Sequence, residues 1–173
     1  MTTTRPAPPD EAEAASTAGE RQTLEAFLDY HRRHIRNRLT GLTEEQARQR
    51  LVPSATTLIG VVKHLAAVER AWFHRILAQR PEEEIEGNSR GDEPSWHVGP
   101  HETIADVIAE YDEACARSRE IAAGFGLDDA VPHPRLGRVS LRWIYVHMIE
   151  ETAQHAGHAD ILREQIDGAT GLG

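Results

Sequence analysis

Apolar residues recur every three or four positions in four long segments of this chain, and no segment alternates with a sustained period of two. The first such period lines up one face of a helix; the second would line one face of a strand. Between about Glu20 and Leu42 the stripe is Leu24, Phe27, Leu28, His31, Ile35 and Leu39. A second helix is expected after Pro53, with Ser54, Thr56 or Thr57 as its N-cap. Its stripe is Leu58, Val61, Val62, Leu65, Val68, Trp72 and Ile76, and Pro81 cannot continue it. The third spans about Thr103 to Phe125, where Ile104, Val107, Ile108, Tyr111, Cys115, Ser118 and Ile121 share a face and Gly124 and Gly126 stop it. The fourth starts from Ser140 as N-cap, runs to about Asp167 and stops at Gly168. Thr43 and Gln46 stand at capping-box spacing and predict a short turn between the first two helices. These segments predict an all-α protein, a four-helix bundle forming one domain over residues 19–173. Two connections are long, so simple up-down-up-down topology is not required.

The ends and loops differ in composition. Residues 1–18, MTTTRPAPPDEAEAASTA, contain no apolar core of a signal peptide and predict a disordered tail. Residues 81–100, PEEEIEGNSRGDEPSWHVGP, predict a long acidic loop with Trp96 as its apolar anchor. The run Glu82–Glu84 within it reads as a solvated face.

The formal net charge is −9. An acidic surface repels phosphate backbones and anionic lipid, which argues against nucleic-acid and membrane partners. No run of about 18 apolar residues exists to span a bilayer. Cys115 is the single cysteine, so no internal disulfide can form, as expected of a cytoplasmic protein. It falls on an apolar stripe and reads as a small core residue rather than a nucleophile.

Chemistry shows itself in the fourth helix. Its stripe begins Leu141, Ile144, Met148 and resumes at Ala159, Leu162, Ile166. The same spacing carried through the gap lands on Glu151, His155 and His158. The stripe turns polar where the core should be densest, and a lone buried carboxylate is costly unless paired or bound to metal. Glu151 and His155 stand one turn apart, the two-donor arrangement of helical metal sites. A third donor should come from a neighbouring helix, and His64, between Val61 and Val68, is the best placed. Plainer readings exist: His64 as a hydrogen-bonded core histidine, Glu151 with His155 as an ion pair. His158 can share a metal with His155 but lies nearly two turns from Glu151. Of the remaining histidines, His31 and His34 are expected to pack or meet solvent, and His74, His97, His101 and His133 to be solvated at helix ends or in loops.

The segment VHMIEETAQHAGHADILRE resembles the last helix of the DinB/YfiT-like superfamily. His147, Glu151 and His155 fall on that helix's three histidine positions, and Gly157 on its glycine. KHL, with His64, resembles the family's first metal-binding histidine. The resemblance covers about residues 20–168. It is nearest to an uncharacterised actinobacterial branch with stretches similar to TTLIGVVKHLAAVERAWF and HADILREQIDG. The chain departs from the usual pattern in two places. Glu151 stands for the middle histidine, which resembles the mycothiol-dependent maleylpyruvate isomerase group, and His158 stands for a glutamine. The resemblance implies a four-helix bundle, a homodimer, one divalent ion held by three side chains, and relatives that transfer mycothiol or bacillithiol. It does not by itself fix a reaction.

Three functions follow as expectations. The first is a metal-dependent S-transferase or isomerase, with zinc or nickel, a low-molecular-weight thiol as cofactor and a small-molecule substrate. Arg142, Tyr145, His147 and His158 are candidates to orient that substrate, and Trp96 and Arg142 to cover it. The second is a metal-dependent hydrolase. The third is a non-enzymatic protein with a structural or sensory metal, which a closed four-ligand site would favour.

Overall fold

The computed structural model of the protein describes residues 9–170. Residues 1–8 of the expected disordered tail lie outside the described residues. From Asp10 the chain carries a helical turn, α1 (Glu11–Ala14). Asp10 and Glu13 close a capping box on it, Ala15 is buried, and Glu11 pairs with Arg33.

The bundle consists of α2 (Glu20–Asn37), α4 (Leu58–Glu69), α5 (Ile104–Ala123) and α6 (Leu141–Asp167), with the short α3 (Glu44–Ala47) between the first two. Side-chain caps set the starts of α3 to α6, and those of α3, α4 and α6 are among the candidates given above. Thr43 and Gln46 reciprocate at α3, Thr57 caps α4, Thr103 caps α5 and Ser140 caps α6. Gly168 ends α6 in the left-handed region at φ 77°.

Cross-helix pairs give the topology. Glu20, Glu25, His34 and Arg38 of the α2 segment meet Arg142, Tyr145, Asp160 and Arg163 in that order, so α2 and α6 run parallel. Arg21, Asp29 and Arg36 meet Ala122, Arg119 and Asp112, so α5 is antiparallel to α2. Arg70 and His74 meet Glu110 and Ala114, so α4 and α5 run the same way. The order is up-down-down-up. Two neighbouring parallel helices need a connection that returns the length of the bundle. Residues 78–103 are that connection, and they pass over α4 where His64 lies. Two short 3₁₀ turns, Glu82–Glu84 and Glu93–Trp96, shape them.

Three features were not anticipated. The second helix changes hydrogen-bonding pattern after Glu69 and continues as a π-helix over Arg70–Leu77. The segment after α5 forms a hairpin, β1 (Ala130–His133) with β2 (Gly137–Ser140), paired from Ala130↔Ser140 to His133↔Gly137. The third is a buried ion pair. The stripe of α2 that faces the core is Leu28, Arg32, Ile35 and Leu39, while Phe27 is 42% exposed. Arg32 forks onto Glu69 at 2.8 and 2.6 Å, both side chains buried, and Asp29 accepts a further bond at 2.9 Å. A bidentate, satisfied pair is the form in which two charges can be kept in a core. Glu69 is also where the π-helix begins, so the pair pins the point at which α4 changes winding.

Candidate metal centre

α4 and α6 run antiparallel and bring His64 against Glu151 and His155. The Glu151 Oε1 atom lies 3.6 Å from His64 Nε2 and 3.2 Å from His155 Nε2. One donor atom from each of the three residues falls within 4.8 Å of the other two. The imidazoles cross at 70° with centroids 5.0 Å apart, so they converge rather than stack. The hydrogen bond from His155 is the largest influence on the Glu151 carboxyl, which is held well below the usual carboxylate range and is an anion at neutral pH.

The return connection holds His64 in place. The Trp96 indole stacks on its ring at 4.1 Å and 13°, and also meets His155 edge-on at 5.3 Å. Ser95 Oγ stands 2.7 Å from His64 Nδ1 and donates to the Asp92 carbonyl at 2.5 Å. A hydroxyl has a single proton to give. Having given it to Asp92, Ser95 can only accept from His64, so Nδ1 carries hydrogen and neutral His64 turns the lone pair of Nε2 toward Glu151. Lone pair and carboxylate then face each other across 3.6 Å. A cation between them satisfies both, and the spacings suit one. A tetrahedral ion with bonds of about 2.0–2.2 Å holds its donors roughly 3.3–3.6 Å apart. The side chains present therefore fit a divalent metal.

The connection approaches this closely because α4 offers a glycine. A Cβ on Gly60 would stand 3.0 Å from the Trp96 carbonyl oxygen and 2.9 Å from the hydroxyl of Thr57, the α4 cap. Gly91, at φ 66°, makes the second close approach, to Val68 and His64.

A family model described as mycothiol-S-transferase matches residues 23–168. The chain belongs to that family. It is a DinB/YfiT-like family, and the match runs from the first turn of α2 to the end of α6. Among curated proteins none matches the chain.

Membership puts the remaining sequence candidates in context. His158 is exposed, and its Nδ1 meets Nδ1 of His155 at 3.5 Å, on the side of that ring away from the nitrogen that faces Glu151. Arg142 and Tyr145 turn to the other side of α6. Arg142 pairs with Glu20 and Asp128, and Tyr145 is buried with its hydroxyl on Glu25 at 2.9 Å. Neither orients or covers anything at the three-donor cluster. His147 does lie beside it, one turn before Glu151, and burial pushes its pKa down against the pull of Glu151 and Glu150. Two histidines expected in solvent are not there. His74 is buried with Nε2 3.3 Å from the Ala114 carbonyl, and His133 is half-buried on Trp72. Cys115 is buried as expected, and burial raises its thiol far above the range in which it could react. Ser95 was missed: one serine in a polar loop has no sequence signature beyond its place next to Trp96.

Among the described residues no helix is long and apolar enough to cross a membrane.

Proposed function

We propose that the protein is a divalent-metal-dependent thiol S-transferase that uses a mycothiol-type low-molecular-weight thiol. The observation that carries this reading is the convergence of one donor atom each from His64, Glu151 and His155 within 4.8 Å, in a chain of the mycothiol S-transferase family. His64, Glu151 and His155 would hold the ion. With two imidazoles and one carboxylate the donor set suits zinc or nickel. Three protein donors leave one position free, and a divalent ion there lowers the pKa of a thiol so that it is a thiolate at neutral pH.

The chain's own residues supply the rest. Ser95 fixes the tautomer and ring angle of His64. Trp96 shields one face of the cluster from water. Behind Trp96 lies a cavity of about 770 Å³, lined among others by Arg48, Thr57, Lys63, His97 and Val98. That volume is in the range of small-ligand sites, and its polar wall suits the hydroxyl-rich body of such a thiol. A cytoplasmic homodimer completes the proposal; exposed Phe27, Val146 and Ile161 on α2 and α6 offer it apolar surface.

The test uses cobalt-loaded protein and three thiols, mycothiol, bacillithiol and glutathione. At least one should change the visible spectrum and be conjugated to a model electrophile. A spectrum indifferent to all three, together with no conjugate by mass spectrometry, would remove the reading.

A further inference from the structure

Beyond Glu151 the face of α6 that carries the donors continues as aromatic rings. His147 and Trp143 precede Glu151 by one turn and two. The π-helix sets Trp72 against both: its indole is 4.4 Å from the His147 ring and 5.3 Å from that of Trp143. A π-helix advances less per residue than an α-helix, so the change of winding after Glu69 swings Trp72 back toward the side of His64. Trp143 and His147 stack at 5.2 Å and 13°. The hairpin adds His133, stacked on Trp72 at 5.3 Å and 16°. Four rings therefore make one continuous π surface that begins a single helical turn from Glu151. Core packing does not account for it, because Trp143 is 41% exposed and the other three are only half-buried. An indole left in water is a large contact area not yet used.

The far end of this surface is cationic. Arg75 follows Trp72 by three residues on the π-helix, and Arg135 follows His133 by two. Among the described residues neither side chain has a carboxylate partner or an acceptor, in a chain with 28 acidic and 19 basic residues. Nε of Arg75 is buried with no hydrogen-bond acceptor, so nothing in the fold pairs with this guanidinium's charge. Both charges are felt at His133, whose pKa is pushed down by burial, then by Arg135 and Arg75.

We infer that this surface binds the second substrate of the site, a planar aromatic carboxylate, with its ring on Trp143 and His147 and its anionic group toward Arg75. That the ligand is the electrophile rests on the S-transferase reading; that the surface takes a planar anion does not.

The experiment titrates the metal-loaded protein with 2-naphthoate, which accepts no thiol, by calorimetry. Cyclohexanecarboxylate and 2-naphthol separate the two demands, ring and charge. Naphthoate should bind, and each control at least about tenfold more weakly, the scale of one aromatic contact. Trp143→Ala and Arg75→Gln should each weaken naphthoate about tenfold. Naphthoate binding without any thiol conjugation would refute the S-transferase reading and leave this one standing. Conjugation of a small aliphatic electrophile without naphthoate binding would do the reverse. Equal naphthoate affinity in wild type and Trp143→Ala overturns the inference. So does a Trp143→Ala protein that passes from dimer to monomer, since a second copy would then cover the rings.

Discussion

Ser95 accepts a hydrogen bond from His64 across 2.7 Å, having given its own proton to the carbonyl of Asp92. The pair decides which nitrogen of His64 faces Glu151. It also ties the long return connection to the centre of the bundle, because Ser95 belongs to the 3₁₀ turn that ends in Trp96. Removing such a partner leaves the ligand in place but frees its ring. Ser95→Ala should therefore weaken metal binding by about 10–100-fold while the protein stays folded. A competition titration with a chromophoric chelator measures it. Unchanged affinity would mean that Trp96 alone orients His64.

Gly60 admits the Trp96 carbonyl at a distance where a methyl group does not fit. Its other neighbour is the Thr57 hydroxyl that caps α4, so neither contact can move freely. Gly60→Ala should cost about 1–3 kcal/mol, as overpacking does, and should shift Trp96 off His64. Thermal melts give the first, and tryptophan fluorescence in Trp72→Phe/Trp143→Phe protein isolates the second. A Gly60→Ala protein with wild-type melting and emission would show that the connection yields without loss.

Much of this architecture is legible in the sequence because it depends on local rules. Thr43 and Ser140 cap the elements their positions predict, and the polar gap at Glu151 and His155 marks the candidate site, since a carboxylate in a core stripe demands a partner. What is hidden depends on partners distant in sequence. Arg32 is on the core face of α2, but an arginine scores as polar until Glu69, from another helix, is known to receive it. The misplacement of Phe27 has the same origin, as the stripe was drawn through apolar residues and missed Arg32. The hairpin is hidden by Pro132 and Pro134 and by strands too short to show alternation. The π-helix leaves no mark in composition, yet it puts Trp72 beside His147.

The Arg32–Glu69 pair supplies a sharp asymmetry. Glu69→Ala would leave a buried guanidinium with only the half-exposed Asp29 and should destabilise by about 3–5 kcal/mol. The double change Arg32→Met, Glu69→Leu removes both charges and should cost much less. Denaturant unfolding of the three proteins tests the difference. A double variant as unstable as Glu69→Ala would show that the charges do more than satisfy each other.

Asp29 gives the acid limb of the stability profile a named contributor. Burial raises its carboxyl, but the guanidinium groups of Arg119 and Arg32 outweigh that and hold it below its ordinary value. A carboxyl depressed in the fold contributes its full stability above its unfolded pKa, about 3.9, and loses it as pH falls through the lower folded value. Asp29→Asn should be less stable than wild type at neutral pH, with the gap closing below about pH 4. Equal gaps at pH 7 and pH 3 would contradict the assignment.

The donor set is open to a direct contrast between Glu151 and His158. Both lie near His155 on α6, but only Glu151 reaches the Nε2 that also faces His64; His158 is exposed and meets the opposite nitrogen. Elemental analysis should find about one divalent ion per chain in wild type and His158→Ala. His64→Ala, Glu151→Ala and His155→Ala should each be depleted. Binding also adds stability by mass action, about 2.7 kcal/mol when free metal is a hundred times its Kd. For a chain of this length that raises Tm by roughly 5–10 °C. Wild type and His158→Ala should show the rise on adding zinc or nickel to chelated protein, and the three donor variants should not. Metal kept by Glu151→Ala and lost by His158→Ala would place the ion on the other side of the His155 ring, and Ser95 would then have no bearing on it.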